Sequence, residues 1–580
     1  MHPKLSGLSR SRDITVTLRG LNLTGSVGDG EWAWTQNVDT ALCPIIRRRE
    51  KRLKVGWVDK PKGLFATDRL AFVDGTKFYY NGYYYGDVAD SFKQMAAMGS
   101  KICIFPDKVI FDTETCSFSP MEQRNKSSGT VKVTLARGDG TPWGEYTSSA
   151  IASENPSDGM NWLDTSGETP VMKIFSATTG LWTEEASVYV CVESTGIGAG
   201  MKADDAVTVA GLEVQALNGD WILQYTEDDR IIFTGVLVAE QTQTAQVTVE
   251  RVCPDMDFIV ERNNRLWGCS GENHEIYCCA LGDPTNWRRY AGLSTDSYAV
   301  TVGSPGPFTG MAVVGGSVVA FKEACIHKVY GEYPAAFQLY TYNYRGVEAG
   351  SARSLVRIGS MLYYKSVFDW CAFDGSEVLS ISSPLGTHRY KNAVAGANDQ
   401  RLYVSQQDET GAWQLMTYDT ERGMWMREYG MHALAFTQCQ TETFMLAEDG
   451  GLWAVREGEY AKDFFMLGSD YKAEATAETD AEAEWLVRTG ELLQGIPDNK
   501  RVSRIQVLLD LPAGAWAEVR VRRDGGDWET AMRMEGQEKR RYQLPIYPRR
   551  CDRLEVEIRG QGDVRIINLS RAVEAGSEYR

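Results

Sequence analysis

The chain has 580 residues, of which 43% are hydrophobic and 24% charged, and its net charge at pH 7 is −17, with an isoelectric point near 5.0. This composition excludes general disorder, and the length allows three to five domains, or fewer if one is a large all-β unit. The acidic balance argues against a protein that grips nucleic acid by neutralising phosphates, but a like-charged surface could let DNA slide past.

Nothing in the sequence predicts export or membrane insertion. The N-terminal stretch "MHPKLSGLSRSRDITVTLRG" (1–20) has no apolar segment typical of a signal peptide, and no apolar run is long enough to cross a bilayer. The twelve cysteines are scattered, without a C-x-x-C pair, and only Cys278 and Cys279 are adjacent. We therefore expect small buried thiols in a reducing compartment, in a protein assembled in a cytoplasm.

Alternation of apolar and polar residues dominates the chain and predicts half-buried β-strands. The clearest examples are "DITVTLRGL" (13–21), "TVKVTLA" (130–136), "SVYVCVES" (187–194), "QVTVERV" (246–252), "RIQVLLDL" (504–511), "AEVRVRR" (517–523) and "RLEVEIRG" (553–560). Only "DVADSFKQMAAM" (87–98) and a turn or two in "AEWLVRTGELL" (483–493) suggest helix. The sequence predicts an all-β protein.

Aromatic-rich strand pairs joined by Asp-Gly or Asn-x turns recur at roughly forty to fifty residues, which is typical of β-propeller blades. They occur at 68–82, 99–115, 263–281, 359–375, 399–425 and 443–458. Because the copies diverge, we expect between about five and seven blades.

The pattern stops after "EQRNKSSG" (122–129) and returns near residue 250, so we expect a β domain inserted into the propeller. The predicted organisation is an N-terminal arm with first strands (1–60), the first part of the propeller (61–125), one or two inserted β-barrel or sandwich domains (126–250), the second part of the propeller (251–465) and a C-terminal antiparallel β-sandwich (466–580). The acidic, low-complexity stretch 469–484 is expected to be a linker or a crossing at a sheet edge.

His274, Cys278 and Cys279 make the stretch 263–287 resemble a metal site. A zinc site needs several such donors converging at fixed spacing, and here no second pair of donors follows. We therefore expect structural packing and no metal. Only five histidines occur, and no G-x-S-x-G motif supports a serine nucleophile.

Two further patterns allow an enzymatic or nucleotide-binding alternative. "STGIGAG" (194–200) lacks the Lys-Ser/Thr of a phosphate loop and precedes a strand, which favours a turn or surface loop. Asp255, with Asp257 or Glu261, could form the carboxylate pair of a glycosidase, but close acidic pairs are expected by chance in a chain with 78 acidic residues. We expect no catalytic residue and no cofactor.

The strongest basic run is "RRREKR" (47–52), which predicts either a solvated strand or loop, or a contact with an acidic protein surface or a phosphate backbone. The aromatic run "FYYNGYYYG" (78–86) predicts blade core with an exposed rim, or a subunit interface.

Several segments resemble the nozzle or hub protein of short-tailed bacteriophages, also called the DNA-stabilisation protein, and related prophage proteins. They are "GLN" (20–22), "DGEWAWTQNV" (29–38), "CPIIRRREKR" (43–52), "MDFIVERNNRLWGCSGENHEIYCCALGDPTNW" (256–287), "FKEACIHKVYG" (321–331), "RGVEAGSARSL" (345–355) and "LPIYPRRCDRLEVEIRGQGDVRIINLSR" (544–571).

The resemblance implies a non-enzymatic virion protein, assembled in the bacterial cytoplasm as a homo-oligomeric ring, expected to be a hexamer. Its implied partners are the portal and adaptor proteins above it, and needle, spike or fibre proteins around it. Packaged double-stranded DNA would be retained by the ring and would pass through it during ejection. The alternatives are a tail-tip or baseplate component of a long-tailed phage, and a propeller that binds or cuts host glycans.

Overall fold

The computed structural model describes residues 9–185, 188–466, 479–480, 482–492, 500–537, 541–546, 551 and 553–575. The all-β prediction is confirmed: this part of the chain contains one α-helix, Glu459–Met466, and short 3-10 helices at Gln215–Leu217, Pro334–Ala336, Ala352–Ser354 and Ser383–Leu385. None of these helices has the length and apolar content that crossing a bilayer requires.

The chain divides into two compact units. Unit 1 comprises residues 1–93, 308–328 and 340–580, and unit 2 comprises residues 94–307 and 329–339.

Seven four-stranded sheets, numbered here along the chain, have the up-and-down strand order of propeller blades. Sheet 1 contains Pro61–Ala66, Leu70–Asp74, Lys77–Tyr80 and Tyr83–Asp87; sheet 2 contains Gln94–Met98, Lys101–Phe105, Val109–Asp112 and Ser117–Pro120; sheet 3 contains Phe258–Glu261, Leu266–Ser270, Glu275–Cys278 and Tyr298–Thr301; sheet 4 contains Gly310–Val314, Ser317–Phe321, Ile326–Tyr330 and Gln338–Tyr342. Their second strands are almost wholly buried, which explains their apolar composition.

The remaining three of these sheets lie in unit 1. Sheet 5 contains Val356–Ile358, Met361–Lys365, Trp370–Phe373 and Val378–Ser380; sheet 6 contains Lys391–Asn398, Arg401–Gln407, Trp413–Asp419 and Met424–Arg427; sheet 7 contains Ala433–Cys439, Glu442–Ala447, Gly451–Ala454 and Leu53–Trp57. Sheet 7 therefore takes its fourth strand from the N-terminal part of the chain, with Leu53 opposite Ala454. Sheets 7 and 1 share one apolar core.

The inserted region of unit 2 follows sheet 2 and precedes sheet 3 along the chain. Its eight-stranded sheet has the order Gln123–Lys126, Thr248–Arg251, Ala206–Ala210, Gly219–Glu227, Arg230–Thr234, Tyr189–Thr195, Ser128–Ala136 and Gln241–Gln243. A smaller sheet contains Tyr146–Ser149, Asn161–Asp164, Val171–Ser176 and Leu181–Glu184. Residues of both sheets, including Val133, Leu163 and Phe233, form a single core.

The β-sandwich of unit 1 combines strands from both ends of the chain. One sheet has the order Val38–Asp39, Ile46–Arg48, Arg565–Ala575, Lys500–Asp510 and Arg541–Ile546, with Ser9–Thr15 also paired to Arg565–Ala575. The other has the order Trp32–Gln36, Trp485–Thr489, Leu554–Gln561, Trp516–Arg523 and Glu529–Glu535. Trp32, Val507 and Ile558 belong to the core that the two sheets share.

Within the segment 1–60, expected to be an N-terminal arm with first strands, the described strands complete the sandwich and sheet 7. Two other expectations need correction. The helix expected at 87–98 is wrong: Gln94–Met98 is a strand in which Ala96 and Met98 are buried, so tertiary packing overrides helix propensity. The turn of helix expected within 483–493 is the strand Trp485–Thr489. Most of the expected linker 469–484 lies outside the described residues.

Candidate functional site

The His-Cys stretch is a hairpin of sheet 3. His274 lies on its turn with a φ of 53°, between the strands Leu266–Ser270 and Glu275–Cys278. Cys278 and Cys279 are fully buried, and the Cys279 thiol accepts a hydrogen bond from the Leu266 amide at 3.0 Å. Among the described residues, no three metal-binding side chains converge.

Cys279 belongs instead to a sulfur-rich core between sheets 2 and 3. This core, here called the thiol cluster, contains Cys103, Cys253 and Cys279, packed with Met98, Met121, Met256 and Trp287. Burial raises the pKa of Cys103 to about 12 and raises the pKa values of the other two thiols well above their usual range. These thiols are therefore protonated and unreactive at neutral pH.

The three candidate carboxylates have separate structural roles. Asp255 Oδ1 lies 2.6 Å from Lys108 Nζ, Asp257 Oδ2 accepts the Gly271 amide at 2.6 Å, and Glu261 Oε1 accepts the Asn264 amide at 2.7 Å. Each carboxylate thus has its own partner: Asp255 pairs with a lysine, whereas Asp257 and Glu261 accept backbone amides. This arrangement differs from an acid and base facing one reaction centre.

The glycine-rich stretch 194–200 is a turn, as expected. Its Gly196 amide donates to Asp229 Oδ1 at 2.8 Å, and its Ala199 carbonyl accepts from Asn125 Nδ2 at 2.8 Å. A Cβ at Gly198 would lie 2.0 Å from the Glu227 carbonyl oxygen, so close backbone approach requires this glycine. The strand Ala206–Ala210 follows in place of a phosphate-binding helix.

The aromatic run 78–86 forms the last two strands of sheet 1. Phe78, Tyr79 and Tyr80 are buried, whereas Tyr83 and Tyr84 are exposed. The expected buried core with an exposed rim is confirmed for this run.

The basic segment 47–52, another of the candidates from the sequence, is partly buried and forms several ion pairs. The expectation of a solvated strand or loop is wrong, because Arg48, Arg49 and Arg52 are buried. Lys51 is more exposed than these arginines, and its Nζ lies 2.8 Å from Glu457 Oε2. Burial of arginine requires paired charges, and the chain supplies them.

Arg49, Arg52, Glu428 and Asp480 form what we call the arginine cluster. Both guanidinium groups contact Glu428 Oε2, and Arg49 also pairs with Asp480. The Arg52 amide donates to Asp480 Oδ1 at 2.7 Å. The cluster thereby joins the segment 47–52 to the end of sheet 6, through Glu428. It also joins that segment to the residues before the strand Trp485–Thr489, through Asp480.

Electrostatics favour the charged forms of Asp480 and Arg49, whereas burial and the charge of Arg49 lower the pKa of Arg52. Burial opposes ionisation of Asp480, but the hydrogen bond and charge of Arg49, together with the charge of Arg52, hold its pKa below the usual range of an aspartate. Burial likewise opposes the charge of Arg49, but Glu428 and Asp480 raise its pKa above the usual value.

Two clefts open beside the basic segment. The larger, of about 870 Å³, lies between residues 47–51 and the sandwich loops around Pro512 and Asp563. The smaller, of about 300 Å³, faces sheet 6 and is lined by five arginines and five carboxylates: Arg47, Arg49, Arg401, Arg422, Arg456, Glu50, Asp399, Asp419, Glu421 and Glu428. Balanced charge gives no strong preference for a polyanion such as DNA.

The sequence did not identify Glu428 or Asp480 as partners of the basic segment. Asp480 lies in the acidic stretch 469–484, so opposite charge between that stretch and the basic run was the available signal. Glu428 follows a buried strand of sheet 6 and carries no comparable signal.

Comparison with known proteins does not identify a family. No protein-family model matches the sequence, and no curated protein does. Among solved structures, Raptor from Chaetomium thermophilum is 10% identical with a TM-score of 0.29, over 71% of this chain and 30% of that one. An exo-β-1,3-galactanase from Phanerochaete chrysosporium is 7% identical with a TM-score of 0.19, over 53% of this chain and 92% of that one. At these TM-scores the likenesses carry no argument about function.

Proposed function

We propose that this protein is a structural virion component, the tail nozzle or hub of a short-tailed bacteriophage, and not an enzyme. In this role each of the seven four-stranded sheets is a propeller blade. Copies of the chain, six in the proposed ring, attach below the portal and adaptor proteins, bind needle, spike or fibre proteins, retain packaged double-stranded DNA and conduct it during ejection.

The observation that carries the proposal is where the nozzle-like segments lie in the fold. The segment 29–38 supplies strands of the sandwich, 43–52 supplies the two arginines of the arginine cluster, and 256–287 supplies three strands of sheet 3. The resemblance to nozzle proteins therefore involves mainly buried strands and paired charges, and exposed loops to a lesser extent. Buried strands and paired charges are the features that determine a fold.

The charge of the chain and the roles of its carboxylates also support a DNA conduit over an enzyme. A net charge of −17 repels phosphates, which reduces binding of DNA to a channel wall. Asp255, Asp257 and Glu261, the residues considered for glycan hydrolysis, are engaged by a lysine and by backbone amides.

The proposal is tested by co-expressing the chain with the portal and adaptor proteins encoded in the same genome. We expect negative-stain images of the purified complex to show a sixfold ring with an open bore below the adaptor. A monomer or trimer that does not join the adaptor contradicts the nozzle and favours the tail-tip alternative. Hydrolysis of host glycan that Asp255→Ala or Asp257→Ala abolishes would instead establish the enzymatic alternative.

A second test uses the virion. Deleting the gene should give particles that package DNA and then lose it, measured as a fall in nuclease-protected DNA per particle, and the gene supplied in trans should restore retention. Normal retention with failed adsorption to the host would show a receptor-binding role in its place.

A further inference from the structure

Outside the arginine cluster, unit 2 contains a small groove with a different chemistry. The groove has a volume of about 160 Å³, and it lies between the face of the inserted eight-stranded sheet and a loop of sheet 3 that carries Arg288 and Tyr290. None of its residues was identified from the sequence as a candidate for a functional site.

The floor of the groove is a polar row across adjacent strands. Thr208 is directly opposite Asp220 on one side and Glu250 on the other, and Glu250 is opposite Arg124. Residues in register on neighbouring strands project from the same face, so these side chains form one line. Thr208 Oγ1 donates to Asp220 Oδ1 at 2.5 Å, and Arg124 Nε lies 3.9 Å from Glu250 Oε2.

An apolar pair flanks the polar row on the same face. Ala206 is opposite Ile222, two residues along each strand from Thr208 and Asp220. Val207, which projects from the other face, is 2% exposed and belongs to the core of the inserted region. The floor thus offers hydrogen-bond acceptors beside a small apolar surface.

The wall of the groove is held in place by contacts with the inserted region. Asn286 is 1% exposed; its Oδ1 accepts the Ala206 amide at 3.3 Å and its Nδ2 donates to the Asp204 carbonyl at 2.7 Å. Lys202 Nζ lies 2.8 Å from Asp283 Oδ2 in the same loop. A wall fixed in this way lowers the entropic cost of binding.

The side chains that the wall presents are free to contact a ligand. Tyr290 is 58% exposed, and Arg288 is also exposed. No hydrogen bond or ion pair joins either side chain to another residue of the described chain. The groove therefore combines an exposed aromatic ring, a guanidinium donor and two carboxylate acceptors.

We propose that this groove binds one sugar unit of a saccharide. Carboxylates and guanidinium groups hydrogen-bond ring hydroxyls, while an aromatic ring and an aliphatic floor pack against the C–H faces of a pyranose. Asp220 and Glu250 lie on strands separated by the strand of Thr208, so their backbones are about 10 Å apart, and a single ring lying over Thr208 can contact both carboxylates. The proposal does not depend on the nozzle function.

The test measures binding of methyl glycosides of glucose, galactose, mannose and N-acetylglucosamine to the purified full-length chain by saturation-transfer NMR. We expect at least one glycoside to bind at millimolar concentration. Tyr290→Ala and Asp220→Asn should each weaken that binding by at least about tenfold, because the first removes the aromatic ring and the second replaces a charged acceptor oxygen by an amide donor.

Matched controls in unit 2 are Tyr333→Ala, at an exposed tyrosine outside the groove, and Asp228→Asn, at an exposed carboxylate outside it. Both should bind the glycoside as the parent chain does. The proposal is overturned if none of the four glycosides binds, or if Tyr290→Ala and Asp220→Asn bind as tightly as the controls. Because the readout is binding to the purified chain, its failure leaves the ring test of the nozzle proposal unaffected.

Discussion

The arginine cluster and the thiol cluster both consist of reactive residue types gathered in the interior, but burial acts on them in opposite ways. In the arginine cluster, the charges of Arg49 and Arg52 are compensated by Glu428 and Asp480, which lie beside them. In the thiol cluster, burial raises the pKa of Cys103 to about 12, so the thiol is neutral and packs as a small apolar group. Reactive residue types in a sequence therefore do not by themselves indicate whether a functional site is present. The residues that surround them in the fold decide this.

The two clusters should also differ in what their loss costs. A buried charge left without its partner is expensive, whereas a buried neutral thiol can be shortened at the cost of a small cavity. The arginine cluster joins segments that are distant in sequence, so its loss should also loosen the attachment of the N-terminal strands. Four predictions test this contrast.

The largest expected effect is that of Arg52→Ala. Arg52 is 2% exposed and pairs with Glu428, which is 4% exposed, so the substitution leaves a buried carboxylate with less compensation. We expect the free energy of unfolding of this part of the chain to fall by about 3 to 5 kcal/mol, measured by urea denaturation.

The matched control is Lys51→Ala. Lys51 is adjacent in sequence, but its pair with Glu457 is partly exposed to solvent, and such pairs contribute up to about 1 kcal/mol. Equal losses for the two variants would show that the arginine cluster is no more important to stability than a surface ion pair.

A smaller, pH-dependent effect is expected for Asp480→Asn. Burial opposes ionisation of Asp480, but Arg49 and Arg52 hold its pKa below that of an ordinary aspartate, which is about 4. The ionised carboxylate therefore stabilises the folded chain at pH values above about 4. This stabilisation is lost as pH falls through the folded pKa. Thermal unfolding from neutral to acidic pH should show parent and variant well separated near pH 7, and converging below about pH 4.

Asp399→Asn serves as the control for this titration, because the pair between Asp399 and Arg456 is exposed to solvent. It should shift the unfolding temperature little. A constant difference between the parent chain and Asp480→Asn throughout the acidic range would show that the contribution of Asp480 does not come from its charge.

The sequence predicted most of the fold because strand alternation and hairpin turns are local signals. The strands Leu266–Ser270 and Glu275–Cys278 and the buried Trp287 follow directly from the pattern of 263–287. Pairings between distant segments carry no such signal: nothing near Leu53 indicates that it lies opposite Ala454.

The same limit applies to the candidate sites. The basic run 47–52 was recognisable, but its buried state depends on Glu428 and Asp480, which only the tertiary fold places beside it. The groove around Tyr290 is similar, because its polar row combines strands that are far apart in sequence and becomes visible only from their register.

The smallest expected effect is at the thiol cluster. A pKa of about 12 for Cys103 implies a thiolate fraction at pH 7 on the order of one in 100,000, and the thiolate is the reactive species. Cys116 is exposed, so a brief treatment of the folded chain with iodoacetamide should modify Cys116 and leave Cys103, Cys253 and Cys279 unmodified, as read by peptide mass spectrometry.

Cys279→Ala completes the contrast with Arg52→Ala. It removes one buried sulfur atom, which is also the acceptor of the Leu266 amide, but leaves no unpaired charge, so we expect a loss of about 1 to 2 kcal/mol in the free energy of unfolding. Cys116→Ser, which alters an exposed thiol, should change stability less and should abolish the rapid labelling. Rapid modification of Cys103 or Cys279 in the folded chain would mean that the thiol cluster opens to solvent, and its packing role would then have to be abandoned.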